Sequence, residues 1–280
     1  MIKSHSNTSI DILYQAFSKA FADYKFQISQ DQLQAMLRRR GFRPELSFAA
    51  FDEGDLVAFT FNGIGQFNQK MSAYDTGTGT LPNYRKKGLA SEIFEYSIPF
   101  LKKAGVKQYL LEVLQENEKA ISVYQKLGFA ITRQFNYYSQ TVNQIRYPVL
   151  RKSPEIVYTN THNNQIDESF YDFLPSWQNS IDSISRSNET FKYLGAYHKT
   201  QLVGYCVTET ATGDITQIAV SHSYRRQGIG SFLLQSASQL SQTKTIKLVN
   251  TDPNCESLNA FLARLNIPLN GKQYEMIRLL

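Results

Sequence analysis

The chain has 280 residues, 42% of them hydrophobic and 19% charged, with a formal net charge of +6. These values exclude an intrinsically disordered chain. No run approaches about 18 consecutive apolar residues, and the start, MIKSHSNTSIDIL, lacks an apolar segment of signal-peptide length, so we expect neither a transmembrane helix nor a leader. The two cysteines, Cys206 and Cys255, are too few for a disulfide framework and lack metal-ligand spacing. We therefore expect a cytoplasmic protein without a metal site.

The first half of the chain predicts two helices followed by strands and further helices. Apolar residues recur at helical spacing from Asp11 to Tyr24. A second helix, DQLQAMLRRR, is capped by Asp31 or Ser29 and stops at Gly41, so its three arginines should form an exposed end. The runs LSFAAF and LVAFTFN flank the turn DEGD, which is typical of an antiparallel hairpin. The next elements are a strand MSAYDTGTGTL, a helix from Gly88 to Ala104 that Pro99 should kink, a strand QYLLEVL, a helix NEKAISVYQKLG and a β region FAITRQFNYYSQ.

The second half repeats the later part of this order. Its elements are the strands FKYLGAYH, LVGYCVTET and GDITQIAV, a helix to about Gln239, a strand TIKLVNT, a helix LNAFLARLN and a final strand YEMIRLL. Arg85 precedes Leu127 by 42 residues, and Arg225 precedes Leu265 by 40. We therefore predict two tandem copies of one domain, over residues 1–150 and 155–280. The join should lie near RKSPE, where Ser153-Pro154 interrupts the pattern.

One short motif occurs in both halves: LPNYRKKGLASEIFEY at 81–96 and SHSYRRQGIGSFLLQS at 221–236. In each copy a strand leads through a basic turn and a glycine into an amphipathic helix. The start of a helix presents amide N–H groups that lack intrahelical partners, and the helix dipole adds partial positive charge there. Gly88 and Gly228 let a bulky anion approach the backbone, so the motif suits a pyrophosphate.

Two other phosphate-binding motifs do not fit the chain. Neither copy has the spacing G-x-x-x-x-G-K-[ST], and the GTG at 77–79 lacks the third glycine of a dinucleotide fingerprint. The GTG run is more simply explained by a bulge or a flexible strand edge.

The positive charge is concentrated in the first half. Residues 1–152 hold 20 Lys and Arg against 13 Asp and Glu, a net charge of +7, whereas residues 153–280 hold 10 against 11, a net charge of −1. A basic half could face a phosphorylated ligand or could simply be a solvated surface. Because no recognition motif with interleaved aromatic residues accompanies the charge, we do not expect a nucleic-acid partner.

At these motifs the chain resembles the Gcn5-related N-acetyltransferases. RKKGLA and RRQGIG match the family's acetyl-coenzyme A signature, [RQ]-x-x-G-x-[GA] after a strand, and LEVLQENEKAISVYQKLGF looks like its second signature. The resemblance implies an α/β fold class with an α+β mixed sheet. It implies two tandem domains, each a mostly antiparallel twisted sheet flanked by helices, and acetyl-CoA as co-substrate.

The resemblance also implies which residues contact acetyl-CoA. The pantetheine arm would pair with the strand before each loop, the pyrophosphate would lie on the loop amides, and Asn117 would contact the cofactor. In the first half these residues are Thr78, Gly79, Thr80, Arg85, Lys86, Lys87, Gly88, Leu89, Ala90 and Ser91. In the second half they are Ile218, Ala219, Val220, Arg225, Arg226, Gln227, Gly228, Ile229, Gly230 and Ser231.

The catalytic residues implied by the resemblance lie in the first half. Glu112 matches the family's glutamate base and Tyr124 its tyrosine acid, which suits the attack of an amine on a thioester. In the second half Asn250 stands near the position of Glu112, and Leu262, which cannot donate a proton, replaces Tyr124. The first half is therefore the expected catalytic half. A base in the second half remains open through Glu209 or Asp214.

The resemblance leaves the acceptor and the overall role open. The leading hypothesis is an N-acetyltransferase that acts on a primary amine of a small molecule or peptide by direct attack in a ternary complex. The alternative is an acetyl-CoA-binding sensor or scaffold without activity. Trp177, the only tryptophan, could line a ligand site or pack the halves together. The chain could be a monomer with an internal pseudo-dimer or a homodimer, and we expect no membrane partner.

Overall fold

The computed structural model describes residues 1–23, 27–149, 153 and 155–280. These residues form two compact units, Met1–Arg133 with Tyr274–Leu280, and Gln134–Gln273. The predicted end of the first helix at Tyr24 lies outside the described residues, as does most of the predicted join at RKSPE, including Pro154. The units therefore divide the chain at a different place from the sequence-based boundary at 150–155.

The first unit contains the predicted elements in the predicted order, preceded by a short strand, β1, that was not predicted. They are β1 (Ile2–Ser4), α1 (Ile10–Ala20), α2 (Gln30–Arg40), β2 (Phe48–Asp52), β3 (Asp55–Phe67), β4 (Lys70–Thr80), α3 (Leu89–Lys103), β5 (Gln108–Leu114), α4 (Glu118–Lys126) and the beginning of β6 (Ala130–Thr141). The helix α3 runs through Pro99 without a break.

The second unit begins within β6. Its further elements are β7 (Ile156–Asn160), α5 (Ile181–Ser185), β8 (Phe191–His198), β9 (Gln201–Glu209), β10 (Asp214–Val220), α6 (Ile229–Leu240), β11 (Thr245–Thr251), α7 (Glu256–Arg264) and the first residues of β12 (Leu269–Leu279). The α/β class and the mostly antiparallel sheet are confirmed in both units. Among the described residues, no helix has the length and apolarity needed to span a membrane.

The ends of α2 show how the sequence sets the local structure. The Ser29 hydroxyl accepts a hydrogen bond from the Gln32 amide at 3.3 Å, and the Gln32 side chain accepts one from the Ser29 amide at 2.8 Å. This capping box begins the helix, and Gly41 ends it with a φ of 79°. The arginine run was wrongly expected to be an exposed end, because Arg39 is buried and Arg40 donates a hydrogen bond to the Thr76 carbonyl at 2.9 Å.

In the first unit helices cover both faces of the sheet. Strands β1 to β4 are antiparallel neighbours, whereas β4 and β5 are parallel and pair only as far as Tyr74 and Leu110. Beyond that pair the two strands separate and leave a cleft at their carboxyl ends. Apolar residues of α1 and α2 pack on one face, around Phe59 and Phe61, and those of α3 and α4 pack on the other, around Tyr109.

The second unit repeats this arrangement. Its strand order is β6-β11-β10-β9-β8-β7, and β10 pairs with β11 in parallel only at Asp214 and Lys247. Both units carry a bulge in the strand before the loop, at Thr76 in β4 and at Thr216 in β10. The predicted bulge near the GTG run therefore lies at Thr76, one residue before Gly77.

The last strand of each half does not stay with its own half. Most of β6 belongs to the second unit, where it pairs with β11, and the final residues of β12 belong to the first unit beside β5. Glu275 binds Arg133 at 2.6 Å within the first unit, and the fully buried Met276 joins the core around Tyr109. The sequence pattern had assigned YEMIRLL to the second half.

Candidate active site

The two glycine loops have the same backbone conformation. Lys86 and Gly88 have φ angles of 64° and 82°, and Arg226 and Gly228 have 63° and 85°. Each glycine is the N-cap of the following helix and has no side chain to accept a hydrogen bond, unlike the side-chain caps of α1, α2, α4 and α5. The first backbone amide groups of α3 and α6 therefore receive no side-chain cap from the glycine and can donate hydrogen bonds to a ligand at the start of the helix. An anion-binding site requires such donors.

The arginine that opens each loop has a structural role. Arg85 donates to the carbonyls of Thr80 and Ala20, at 3.3 and 3.0 Å, and forms an ion pair with Asp23 at 3.0 Å. Arg225 makes the same kind of contacts, with the Val220 carbonyl at 2.9 Å, the Phe170 carbonyl at 3.4 Å and Asp172 at 3.0 Å. Both arginines are among the residues that the resemblance places in contact with acetyl-CoA. In this geometry they hold the loop to the preceding strand and to an earlier segment of the same unit.

The strand before each loop is paired on one edge only. Thr78, Gly79 and Thr80 pair with β3, and Ile218, Ala219 and Val220 pair with β9. Their other edges face the clefts where β4 leaves β5 and β10 leaves β11. Such an edge can hydrogen-bond to the amide groups of an extended ligand. Asn117 caps α4 through a 3.2 Å bond from the Ala120 amide.

Glu112 lies on β5 at the cleft of the first unit. The buried Tyr74 donates a hydrogen bond to its Oε2 at 3.1 Å. Burial, followed by the charge of Glu112, raises the pKa of Tyr74 well above its usual range, so this phenol remains the donor. The guanidinium of Arg40, from α2, lies 5.9 Å from the centre of the Tyr74 ring. Tyr74 and Glu112 thus occupy the face that α2 covers.

Tyr124 lies on α4, which covers the opposite face. Its ring packs edge-on against Phe94 and Phe129, each with centroids 5.8 Å away. Its hydroxyl is hydrogen-bonded to Asp75, the residue after Tyr74. Because successive residues of a strand point to opposite faces, β4 directs Tyr74 towards one side of the cleft and Asp75 towards the other. Glu112 and Tyr124 are thereby brought to the same cleft from opposite sides.

Asp75 was missed in the sequence analysis. Its carboxylate accepts hydrogen bonds from the Gly77 amide and the Thr78 hydroxyl, both at 2.9 Å. Burial raises its pKa to about 6, against the lowering effect of these hydrogen bonds. The signal that could have found it is a lone acidic residue in the otherwise uncharged strand SAYDTGTGT.

The second unit contains a cavity of about 520 Å³ beside its loop. Nine of the ten residues predicted to bind acetyl-CoA there line it, and Gln227 is the exception. Neither Glu209 nor Asp214, the open candidates for a base, is among the lining residues. Leu262 is fully buried in the core around α6, and Asn250 forms a bulge with a φ of 60°. Trp177 is buried and does not line the cavity.

No metal site accompanies these groups. Within the part of the chain that the structure describes, no three His, Cys, Asp or Glu side chains are grouped as metal ligands would be. The ionisable side chains that the structure places at the β4–β5 cleft are Glu112 and Tyr124, with their partners Tyr74 and Asp75.

Comparison with known proteins shows the same fold and motifs. The profile of the Acetyltransferase (GNAT) family matches residues 10–129, and that of an Acetyltransferase (GNAT) domain matches residues 155–258. The N-alpha-acetyltransferase MAK3 of Arabidopsis thaliana is 28% identical over 114 residues, 40% of this chain and 60% of that protein. The [Ribosomal protein bS18]-alanine N-acetyltransferase of Escherichia coli K12 is 41% identical over 61 residues, 21% of this chain and 41% of that protein.

A solved structure has the same fold over the full length of the chain. It is a tandem GNAT protein from the clavulanic acid biosynthesis pathway, with a TM-score of 0.73 and 12% identity, covering 100% of this chain and 98% of that one. At this identity the likeness concerns the fold alone. Together with the two profile matches, it shows that the chain belongs to the GNAT acetyltransferase family and carries two of its domains in tandem.

Proposed function

We propose that the protein transfers an acetyl group from acetyl-CoA to a primary amine, and that the first unit performs the transfer. The observation that carries this proposal is that Tyr74 and Asp75, adjacent residues of β4, contact Glu112 and Tyr124 from opposite faces of the strand that leads to the loop at Gly88. One side can receive an amine while the other holds the thioester.

The reaction is a direct attack in a ternary complex. The amine nitrogen attacks the thioester carbonyl as Glu112 accepts its proton, which forms the new C–N bond. The C–S bond then breaks, and the departing sulfur takes the proton of the Tyr124 hydroxyl. The products are an N-acetyl amide and free coenzyme A. The loop amides and the free edge at Thr78–Thr80 would orient the thioester, and Tyr74 would orient the Glu112 carboxylate.

The relatives suggest which amine is accepted. One is named an N-alpha-acetyltransferase and another an acetyltransferase of a ribosomal-protein alanine, whereas a third, from Streptomyces lavendulae, is named a streptothricin acetyltransferase. Because the alignments span 60% and 41% of the first two proteins, the acceptor is best tested directly. We propose the α-amino group of a peptide or protein, ahead of a small-molecule amine.

The test follows free thiol while the protein is incubated with acetyl-CoA and a panel of peptides, polyamines, aminoglycosides and amino acids. Thiol release above hydrolysis with any of these amines supports the transferase. We expect Tyr124→Phe and Glu112→Gln each to lower kcat by about 10²–10⁴-fold, the usual contribution of a general acid or base, with acetyl-CoA binding retained. Tyr96→Phe and Glu116→Gln, the same changes at exposed positions of the first unit, are the matched controls. Full activity in Tyr124→Phe would remove this residue from the mechanism.

A further inference from the structure

The Tyr124 hydroxyl carries a single proton, and the structure gives that proton a partner within the protein. The hydroxyl is hydrogen-bonded to the carboxyl of Asp75, a residue of β4. An ionised carboxylate only accepts hydrogen bonds, so it holds the phenol proton and leaves none for a departing sulfur. A protonated Asp75 can instead donate its own O–H to the Tyr124 oxygen, which leaves the phenol proton available to another acceptor.

The carboxyl of Asp75 is fixed in place by the strand that carries it. Its Oδ1 accepts a hydrogen bond from the Gly77 amide and its Oδ2 accepts one from the Thr78 hydroxyl, both at 2.9 Å. These two bonds span the bulge at Thr76. Because Asp75 is also buried, the carboxyl and the phenol of Tyr124 form a pair that bulk water reaches poorly.

The charged and titratable groups around this pair come from several elements. The charge of Arg40, on α2, favours the ionised form of Asp75, but burial outweighs it and raises the pKa of the carboxyl to about 6. The neighbouring Tyr74 and the buried Tyr109, on β5, both have a pKa raised well above the usual range, chiefly by burial, so both remain neutral. Asp75 can therefore carry a proton close to neutral pH.

The other groups packed against the pair do not titrate. Asn62, on β3, accepts a hydrogen bond from the Tyr109 hydroxyl. From α3, the ring of Phe94 packs against the rings of Tyr109 and Tyr124, with centroids 5.2 and 5.8 Å away. A change in the proton of Asp75 is thus passed on to Tyr124 through their direct hydrogen bond.

The second unit shows that the bulge does not require a carboxyl. Ile215 precedes the bulge at Thr216 as Asp75 precedes the one at Thr76. Ile215 is buried in the same core as Leu262, the residue at the position of Tyr124. Where the phenol is replaced by an apolar side chain, so is the carboxyl, and the bulge is still formed. The function of Asp75 therefore lies in its contact with Tyr124.

We propose that Asp75 is a positioning residue for the acid: in its protonated form it directs the Tyr124 hydroxyl to the departing sulfur and then replaces the proton that the phenol gives up. The C–S bond breaks with its electron pair on sulfur, which takes the Tyr124 proton, and the phenol oxygen takes the proton of Asp75. Asp75 is left as a carboxylate and regains its proton from water before the next turnover. The inference rests on the proposed function, because it assigns the source of the proton that Tyr124 donates.

The experiment measures kcat at saturating acetyl-CoA and amine from pH 5.5 to pH 9 for the unmodified protein and for Asp75→Asn. Asparagine keeps an oxygen for the Gly77 amide and can donate an N–H to the Tyr124 oxygen, but it has no proton to lose. The ratio of the two kcat values cancels the titrations that both proteins share, among them those of Glu112 and the amine. Because the transferring form holds a proton on Asp75, this ratio should fall about tenfold per pH unit above the pKa of Asp75 in the complex.

Further variants keep the test independent of how well Asp75→Asn folds. In Tyr124→Phe the carboxyl has no phenol to act through, so the ratio of the unmodified kcat to that of Tyr124→Phe should fall with pH in the same way. Adding Asp75→Asn to Tyr124→Phe should change kcat by less than about twofold, because residues that act through one another are not additive. Asp55→Asn, which removes an exposed carboxyl at the start of β3, is the matched control and should give a ratio that does not depend on pH.

The outcomes separate this inference from the proposed function. Measurable turnover with a ratio for Asp75→Asn that stays constant from pH 5.5 to pH 9 would overturn the inference and leave the acetyltransferase in place, since Asp75 would then only support the strand. Additive losses in the double variant would also overturn it, because Asp75 would then act independently of Tyr124. If no amine is acetylated by the unmodified protein, or if Tyr124→Phe is fully active, the proposed function or its acid fails first, and the inference fails with it.

Discussion

Asp75 places an ionisable group in the interior of the proposed catalytic unit, and its substitution by asparagine tests the consequence. Asp75 is 9% exposed, and burial raises the pKa of its carboxyl from 3.8 to about 6. In the unfolded chain the same group titrates near its ordinary value. Asp75→Asn keeps the shape of the side chain and removes the titration, so comparing the two proteins isolates the contribution of this one carboxyl to stability.

The expected magnitude follows from the shift of about two pKa units, each worth 1.36 kcal/mol. A folded-state pKa above the unfolded value means that the folded protein binds the proton more tightly. The contribution to stability is therefore complete below the unfolded pKa and is lost as the pH rises through about 6. Relative to Asp75→Asn, the unmodified protein should lose about 3 kcal/mol of its free energy of unfolding as the pH rises from below 3.8 to above 6. Roughly half of this loss should occur above pH 5.

The assay is urea-induced unfolding of both proteins at pH 5 and pH 7.5. Asp75→Asn also changes the hydrogen bonds from Gly77 and Thr78, which alters the free energy of unfolding by the same amount at both pH values. The prediction therefore concerns only how the stability difference between the two proteins changes from pH 5 to pH 7.5. Asp55→Asn, at the exposed start of β3, is the matched control. If the free energies of unfolding of the unmodified protein and Asp75→Asn change equally with pH, the carboxyl is ionised at the same pH in the folded and unfolded states. The account of its burial would then be refuted.

Two further predictions concern packing and backbone conformation. Met276→Ala should destabilise the protein by about 2–5 kcal/mol in urea unfolding, because Met276 is fully buried, whereas Leu279→Ala, which is 72% exposed, should change stability by less than about 0.5 kcal/mol. Gly213→Ala should cost more than Gly54→Ala in thermal unfolding. Both glycines have positive φ angles, of 71° and 95°, but a Cβ on Gly213 would overlap the Thr245 carbonyl, whereas one on Gly54 meets nothing within 4 Å. Equal effects of the two glycine substitutions would contradict the predicted overlap.

The sequence predicts those features of the fold that depend on neighbouring residues. The run FKYLGAYH is β8 from its first to its last residue, and TIKLVNT is β11. Ser29 caps α2 and Gly41 ends it because capping depends on side chains within one turn of the helix end. The two glycine loops have φ angles that agree within a few degrees, since the same local pattern of residues produces them.

Features that depend on distant partners were not predictable in this way. An alternating strand pattern shows that a strand has a buried face, but it does not show which strand is its neighbour. The run YEMIRLL was therefore assigned to the second half only because it follows that half in the sequence. Arg85 carries a charge that the sequence shows, but its partner Asp23 lies 62 residues away. Asp75 is a single acidic residue in the sequence, and its contact with Tyr124 is formed only by the fold.

The same distinction explains how two copies of one domain can differ in role. The loop that would hold a diphosphate depends on a few adjacent residues, and both copies retain its conformation. The proposed acid of the first unit is one hydroxyl, carried by Tyr124 on a helix whose apolar side packs on the sheet. In the second unit Leu262 fills the equivalent helix position and is fully buried, so packing is kept while the proton donor is absent. Changing that one side chain would remove the proposed proton donor, whereas changing the loop would remove the proposed diphosphate site. Two copies of one domain can therefore share the conformation of the loop and still differ at the position of the proposed acid.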